Sequence, residues 1–128
     1  MRRVMLSFLV CFIATQARAD DLPVPKYVVF FQQWSAKLED PALTVITHAA
    51  DYAKAHPRQT VHVNAFADPT GSRRANILLT DLRAVMVMDQ LQADGVPNNR
   101  IIGRGHGSVQ FALTSQESRR VEISVGGP

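Results

Sequence analysis

The stretch TVHVNAFADPTGSRRANILLTDLRAV, residues 60–85, joins a strand pattern, a turn and the start of a long helix pattern. Apolar and polar residues alternate over 60–66, which predicts a strand with two usable faces. Residues 67–72 include Asp-Pro-Thr-Gly, the residue types of a type I turn. The helix pattern then covers roughly 73–93 and is closed by Gly95, with Pro97 beyond it.

The flanking sequence extends this β-turn-α unit in both directions. YVVFFQ, residues 27–32, predicts a buried strand, and Asp40 followed by Pro41 predicts the N-cap and first residue of a helix that ends near His56. Residues 100–102 and 118–125 predict two more strands, and GRGHG, 103–107, is interpreted as a turn because a phosphate loop would need a lysine and a following helix. The order β-α-β-α-β-β predicts an α/β (α+β) sandwich, with its helices packed on one mixed sheet and parallel crossovers wherever a helix intervenes.

The N-terminal residues have the composition of a secretory signal. A basic start, MRR, is followed by the apolar run VMLSFLVCFIAT and by Ala17-Arg18-Ala19, a small-x-small cleavage site. The apolar run is shorter than the roughly 18 residues that span a bilayer, so no transmembrane segment is expected in the mature chain. We therefore expect a cleaved signal peptide at 1–19, a short leader at 20–26, one domain at 27–128, and export to the periplasm.

Composition excludes several classes of function. The signal contains three arginines and no acid, so the mature chain would have equal numbers of basic and acidic residues, and a nucleic-acid partner loses its electrostatic support. Cys11, the only cysteine, lies in the signal, which excludes disulfides, thiolate metal sites and cysteine nucleophiles. The histidines form no compact ligand set, so neither a metal site nor a cofactor is predicted.

A polar stripe on the second helix suggests a binding site. Asn76, Thr80 and Arg83 are spaced at i, i+4 and i+7, and Asp68 lies in the turn before them. One interpretation is that Asp68 only caps the helix, as most aspartates in this position do, and that Arg83 is a surface charge. The other is a binding pair, because an arginine fork suits a carboxylate and an aspartate suits an ammonium, the two charges of an amino-acid group.

A longer series of residues resembles the peptidoglycan-binding domain of outer-membrane protein A (OmpA) and its relatives. The segment VVFFQQWSAKL, residues 28–38, resembles the family, and the matching positions that follow are Asp68, Gly71, Asn76, Leu79-Thr80, Arg83-Ala84, Gly95-Val96, Arg100-Ile101, Gly105-His106-Gly107 and 119–123. Together they cover roughly residues 27–123. The pattern departs from the family at Ala67, Ser108, Phe111 and Ser118.

The resemblance implies a non-enzymatic domain that binds the diaminopimelate of peptidoglycan stem peptides without a covalent bond. Asp68 would hold the amino group and Arg83 a carboxylate, with Asn76 and Arg119 lining the site. Thr70, Gly71 and Thr80 are secondary candidates. The protein would associate with the cell wall or the outer membrane.

Two further features of the sequence leave alternatives open. Leu78, Leu82 and Val85, with Met86 beside them, form a second apolar stripe on the far side of the second helix. This stripe can pack against the first helix or the leader. If it faces a partner instead, the alternative function is a scaffold that binds another envelope protein or a second copy of the chain. Trp34 is expected to be a core or hinge aromatic, since aromatics near a strand end usually pack.

Overall fold

A computed structural model describes residues 23–108 and 115–127. The predicted signal peptide and residues 20–22 of the leader lie outside this range. The elements are, in chain order, β1 Lys26–Phe30, α1 Asp40–Ala55, β2 Val61–Ala65, α2 Arg73–Ala93, a short 3-10 helix Asn98–Arg100, β3 Ile101–Gly105, α3 Ser115–Ser118 and β4 Arg120–Val125. Within the described residues, every helix is too short or too polar to cross a membrane.

The four strands form one mixed sheet in the order β1-β4-β2-β3. Strand β2 pairs in parallel with β3, and β4 pairs antiparallel with both β1 and β2. The crossover through α2 therefore joins parallel neighbours, and α1 joins two parallel strands between which β4 is inserted. The predicted fold class, an α/β sandwich with a mixed sheet, is confirmed.

The core lies between the two long helices and one face of the sheet. Alternation along β2 and β4 sends Val63 and Ile123 to this face, where they are fully or almost fully buried. The side chains that α1 buries here are mostly alanines, which let its backbone lie close to the sheet. The main residues of this cluster are Ile46, Ala49, Ala50, Ala53, Val61, Val63, Ala65, Ala84, Val87, Leu91, Val121, Ile123 and Val125.

Arg100 ties the end of α1 to the start of β3. Its Nη2 donates to the carbonyls of Ala53 (2.9 Å) and His56 (2.8 Å), and its Nε donates to the carbonyl of Gln59 (3.1 Å). These carbonyls belong to the last turn of α1 and the loop after it, where helix carbonyls have no intrahelical partner. One guanidinium thus donates hydrogen bonds to the carbonyls at the C-terminal end of α1 and in the loop after it.

Several predicted boundaries are wrong. Helix α1 begins at Asp40 with Glu39 as its N-cap, so Asp40 lies in the first turn, where its charge complements the helix dipole. Residues 103–105 continue β3 instead of forming a turn, because glycines let this strand lie against α2: a Cβ on Gly105 would collide with the backbone nitrogen of Asp81. Ser118 ends α3 and does not begin the last strand.

Candidate functional site

A cleft opens where β2 ends and α2 begins, beneath the segment that links β1 to α1. Its lining residues are Gln33, Trp34, Ala67, Asp68, Thr70, Asn76, Leu79, Arg83 and Arg119. All four main site residues predicted from the sequence therefore lie around one cleft. Thr70 lines it as well, and Gly71 supports its rim through a contact with Trp34.

Asp68 is 5% exposed and is held from two sides. Its Oδ1 accepts hydrogen bonds from the backbone N–H of Thr70 (3.0 Å) and from the Thr70 hydroxyl, and its Oδ2 accepts from Nη1 of Arg119 (3.1 Å). Burial alone would raise the pKa of Asp68, but the hydrogen bonds from Thr70 and Arg119 outweigh it, so the pKa lies below its usual value. The carboxylate is therefore ionised at neutral pH.

The interpretation of Asp68 as the helix cap is wrong. The N-cap of α2 is Ser72, whose Oγ accepts the backbone N–H of Ala75 (3.1 Å). Asp68 instead closes a local turn with Thr70, four residues before the cap. Its charge is thus directed into the cleft and not along the helix axis.

Arg83 is fully buried, so its interpretation as a surface charge is also wrong. Its Nε donates to the carbonyl of Ser35 (2.8 Å), its Nη2 to that of Gln32 (3.0 Å) and its Nη1 to that of Phe66 (3.4 Å). Burial, assisted by the charge of Arg119 and opposed by that of Asp68, lowers the pKa of Arg83 to about 10. The guanidinium stays protonated at neutral pH and braces the β1–α1 segment.

Asn76 and Arg119 complete the polar wall, whereas Thr80 does not reach the cleft. Asn76 donates through Nδ2 to the carbonyl of Thr70 (2.9 Å), and Arg119 donates through Nε to that of Phe31 (3.2 Å). The Thr80 hydroxyl donates to the carbonyl of Ile77 and accepts the N–H of Gly107, both at 2.9 Å. Thr80 therefore supports the loop after β3 instead of lining the site.

The cleft is narrow and partly open to solvent, and the space within it is about 10 Å³, roughly the room for one water molecule. Around it lie one carboxylate, from Asp68, and two guanidiniums, from Arg83 and Arg119. The excess of positive charge favours a ligand with a carboxylate, and Asp68 supplies a place for an ammonium beside it. No group of three or more His, Cys, Asp or Glu side chains that could hold a metal is found in 23–108 or 115–127.

Gln33 and Trp34 line the cleft, although the sequence did not predict them there. Trp34 was expected to be a core or hinge aromatic, and its 52% exposure excludes the core alternative. It packs instead against Gly71, across the mouth of the cleft. The available signal was the polar run Gln32-Gln33 before it, which breaks the apolar pattern of a strand.

The second apolar stripe of α2 is exposed. Leu78 and Leu82 are 59% and 51% exposed, and Val85 and Met86 are exposed beside them. Packing of this stripe against α1 is therefore wrong. Instead, Ala84, Val87 and Leu91 face the core from the other side of the helix.

The chain is similar to known proteins in both sequence and fold. The model of the OmpA family matches residues 30–123. This chain belongs to the OmpA family. Its match to the peptidoglycan-binding protein ArfA of Mycobacterium tuberculosis is 38% identical over 87 residues, 63% of this chain and 27% of ArfA.

The chain is also similar to a second curated relative in sequence and to two solved structures in fold. The chain is 32% identical over 103 residues to the probable lipoprotein YiaD of Escherichia coli, covering 76% of this chain and 47% of YiaD. It thus spans about half of YiaD and about a quarter of ArfA. The fold matches the OmpA-like domain of FopA1 from Francisella tularensis (TM-score 0.72, 23% identity, 80% of this chain and 72% of that one). It also matches the peptidoglycan-associated lipoprotein of Burkholderia pseudomallei (TM-score 0.70, 22% identity, 77% and 89%).

Proposed function

We propose that this domain binds peptidoglycan non-covalently through the diaminopimelate of its stem peptides. The observation that carries the proposal is the convergence of Asp68, Arg83 and Arg119 on one buried cleft. Membership of the OmpA family supports it, as do the printed names of relatives: ArfA is called peptidoglycan-binding, and a Brucella relative is called a peptidoglycan-associated lipoprotein.

The free end of diaminopimelate has an ammonium and a carboxylate on one carbon. We assign the ammonium to Asp68 and the carboxylate to the guanidiniums of Arg83 and Arg119. Arg83 uses three of its five N–H groups on backbone carbonyls, which leaves two that can donate to a ligand. Asn76 holds the backbone of Thr70 and thereby keeps the turn of Asp68 in place.

The expected affinity of one such site is low. Each partly desolvated charged hydrogen bond contributes about 1.5 to 3 kcal/mol, and the entropy of association opposes the sum. A dissociation constant between about 1 µM and 1 mM follows for a single fragment. Such a site is useful against the cell wall, because a polymer offers many copies of the ligand at a high local concentration.

No cleavage or transfer of bonds belongs to this proposal. We assign the domain a non-enzymatic role, in which the charged groups of the cleft hold the ligand and do not react with it. The predicted signal at 1–19 would deliver the protein to the periplasm, where the wall is accessible. Association with the wall or with the outer membrane follows from that location.

The test is co-sedimentation with purified diaminopimelate-type sacculi. We expect the wild-type protein to pellet and Asp68→Asn to remain in the supernatant, because the neutral amide cannot pair with an ammonium. Asp89→Asn, which removes an equal charge from an exposed position of α2, is the matched control and should pellet like the wild type. Equal pelleting of Asp68→Asn and wild type, with both proteins folded by circular dichroism, would exclude the proposed site.

A second candidate function rests on the exposed stripe of Leu78, Leu82, Val85 and Met86. Here the domain would act as a scaffold that binds a second copy or another envelope protein. Sedimentation velocity over a wide range of concentrations tests self-association: a dimer that Leu82→Lys dissociates would support it. A strict monomer at high concentration would exclude it.

A further inference from the structure

Trp34 lies across the mouth of the cleft, although nothing in the core requires it there. Its indole packs against Gly71 on the opposite wall so closely that a Cβ added to Gly71 would lie 2.7 Å from Cζ2 and nearer still to Cη2. Such distances do not occur between real side chains, so this contact depends on glycine. Trp34 as a whole nevertheless remains about half exposed to solvent.

The backbone of Trp34 is strained. Its φ of 55° lies in the left-handed region, and no other non-glycine residue in the described part of the chain has a positive φ. For a bulky residue this conformation is unusual and costs free energy. The surrounding contacts must therefore hold Trp34 in place, and strain of this kind is typical of ligand clamps and switch segments.

Those contacts come from Arg83. Its guanidinium binds the carbonyl of Gln32 on one side of the strained residue and the carbonyl of Ser35 on the other. The two residues between these anchors, Gln33 and Trp34, project to the opposite wall. There Gln33 Nε2 lies 3.5 Å from the Thr70 hydroxyl, at the limit of a hydrogen bond, and Trp34 contacts Gly71.

The segment is thus firmly anchored at its base and weakly held at its tip. The tip also narrows the cleft, because the space left between Gln33, Trp34 and the other lining residues is about 10 Å³ and an amino-acid group needs several times the volume of one water. The polar groups on the cleft walls can bind such a group only after Gln33 and Trp34 move away from Thr70 and Gly71. The anchors at Gln32 and Ser35 need not move.

We propose that Gln33 and Trp34 form a hinged cover over the cleft, and that Trp34 packs on the aliphatic chain of the bound ligand. The proposal rests on the proposed function and deepens it. The ligand class it selects has a charged amino-acid end and a flexible methylene chain, as diaminopimelate does. Lowered onto that chain, the indole would exclude water from the ionic contacts of Asp68 and Arg119, which strengthens them.

The experiment uses the intrinsic fluorescence of Trp34, the only tryptophan in the sequence. The wild-type protein is titrated with a soluble tripeptide, L-Ala-γ-D-Glu-meso-diaminopimelate. We expect emission to move to shorter wavelength at saturation and the acrylamide quenching constant to fall at least twofold, as the half-exposed indole becomes covered. Emission and quenching that stay unchanged while the tripeptide binds, measured by calorimetry, would overturn the proposal.

Variants provide a second readout. Trp34→Ala should bind the tripeptide about tenfold more weakly, and Trp34→Phe should recover most of that loss because it restores an aromatic face. Ile102→Ala, at an exposed apolar position away from the cleft, is the matched control and should bind like the wild type. Equal binding by Trp34→Ala and wild type would show that Trp34 does not cover the bound ligand.

The two proposals can fail separately. If wild type pellets with sacculi and Asp68→Asn does not, while Trp34→Ala binds normally, only the cover is excluded. If wild type binds neither sacculi nor the tripeptide, both the proposed function and the cover are excluded.

Discussion

Arg119 donates a hydrogen bond to Asp68 across 3.1 Å, so the carboxylate that we assign to a ligand ammonium already faces a cation in the free protein. Both partners are largely buried, which makes this pair different from the exposed ion pair of Asp51 with Lys54. A buried carboxylate without such a partner would be costly. In the free cleft the charge of Arg119 balances that of Asp68. The positive charge of Arg83 has no such balancing charge in the cleft.

The pKa of Asp68 predicts a loss of stability in acid. Because its pKa is lower in the folded protein than in the unfolded chain, its contribution is fully present above the ordinary carboxyl pKa of about 4 and is lost as pH falls through the folded value. In Asp68→Asn this part of the pH dependence should disappear. Urea unfolding of both proteins between pH 7 and pH 2 measures the difference, and parallel curves would contradict the prediction.

Arg83 should be required for folding stability as well as for binding. Arg83→Met removes donors from the carbonyls of Gln32, Ser35 and Phe66 and leaves a buried site with unpaired acceptors. We expect a loss of about 3 kcal/mol or more in the free energy of unfolding, measured with urea. Arg73→Met, at an exposed position in the first turn of the same helix, should change it by less than about 0.5 kcal/mol. Similar losses in both variants would show that Arg83 has no special role.

Arg100 is a second structural arginine, far from the cleft. Arg100→Ala leaves the carbonyls of Ala53, His56 and Gln59 without their shared donor, and we expect it to lower the free energy of unfolding by about 1 to 3 kcal/mol. Binding to sacculi should be unchanged in protein that remains folded. A stable variant that loses wall binding would mean that the wall contacts this end of the sheet.

The lowered pKa of His106 predicts a second pH dependence of stability. Burial is the main cause that lowers this pKa, and the positive charge of Arg104 lowers it further. The negative charge of Glu122 acts in the opposite direction but does not cancel the effect. The unfolded chain therefore takes up its proton first, and stability is lost as pH falls from about 6.5 through the folded pKa. In His106→Asn the slope of the free energy of unfolding over this range should be smaller. An unchanged slope would assign the dependence to another group.

Much of the fold could be predicted because the local signals agree with one another. Helix α2 has the predicted bounds, since Ser72 can cap it and Gly95 stops it. The convergence of Asp68 and Arg83 also follows from the sequence, because the turn and the helix stripe are adjacent along the chain. Membership of the OmpA family, first indicated by resemblance, is confirmed by the match over residues 30–123.

What could not be predicted depends on contacts between distant parts of the chain. Asp68 and Ser72 are both suitable N-cap residues, and only the position of the first helical residue decides between them. The carbonyls that bind Arg83 come from Gln32 and Ser35, about 50 residues upstream, so no local pattern shows that the guanidinium is buried. Trp34 could not be placed because its neighbour across the cleft is Gly71, which has no side chain to suggest a contact.

The charge balance of the cleft predicts how the ligand's own charge affects affinity. The cleft has two guanidiniums and one carboxylate. We therefore expect the largest loss of affinity when the ligand's carboxylate at the free end of diaminopimelate is amidated. The loss of one charged hydrogen bond, about 1.5 to 3 kcal/mol, corresponds to binding that is about 10- to 150-fold weaker. Calorimetry with the free and amidated tripeptides measures this difference, and a tripeptide amidated at the glutamate carboxyl is the control that should bind normally. If amidation at the diaminopimelate end leaves affinity unchanged, the carboxylate is not bound by Arg83 and Arg119, and the ligand lies in the cleft in another orientation.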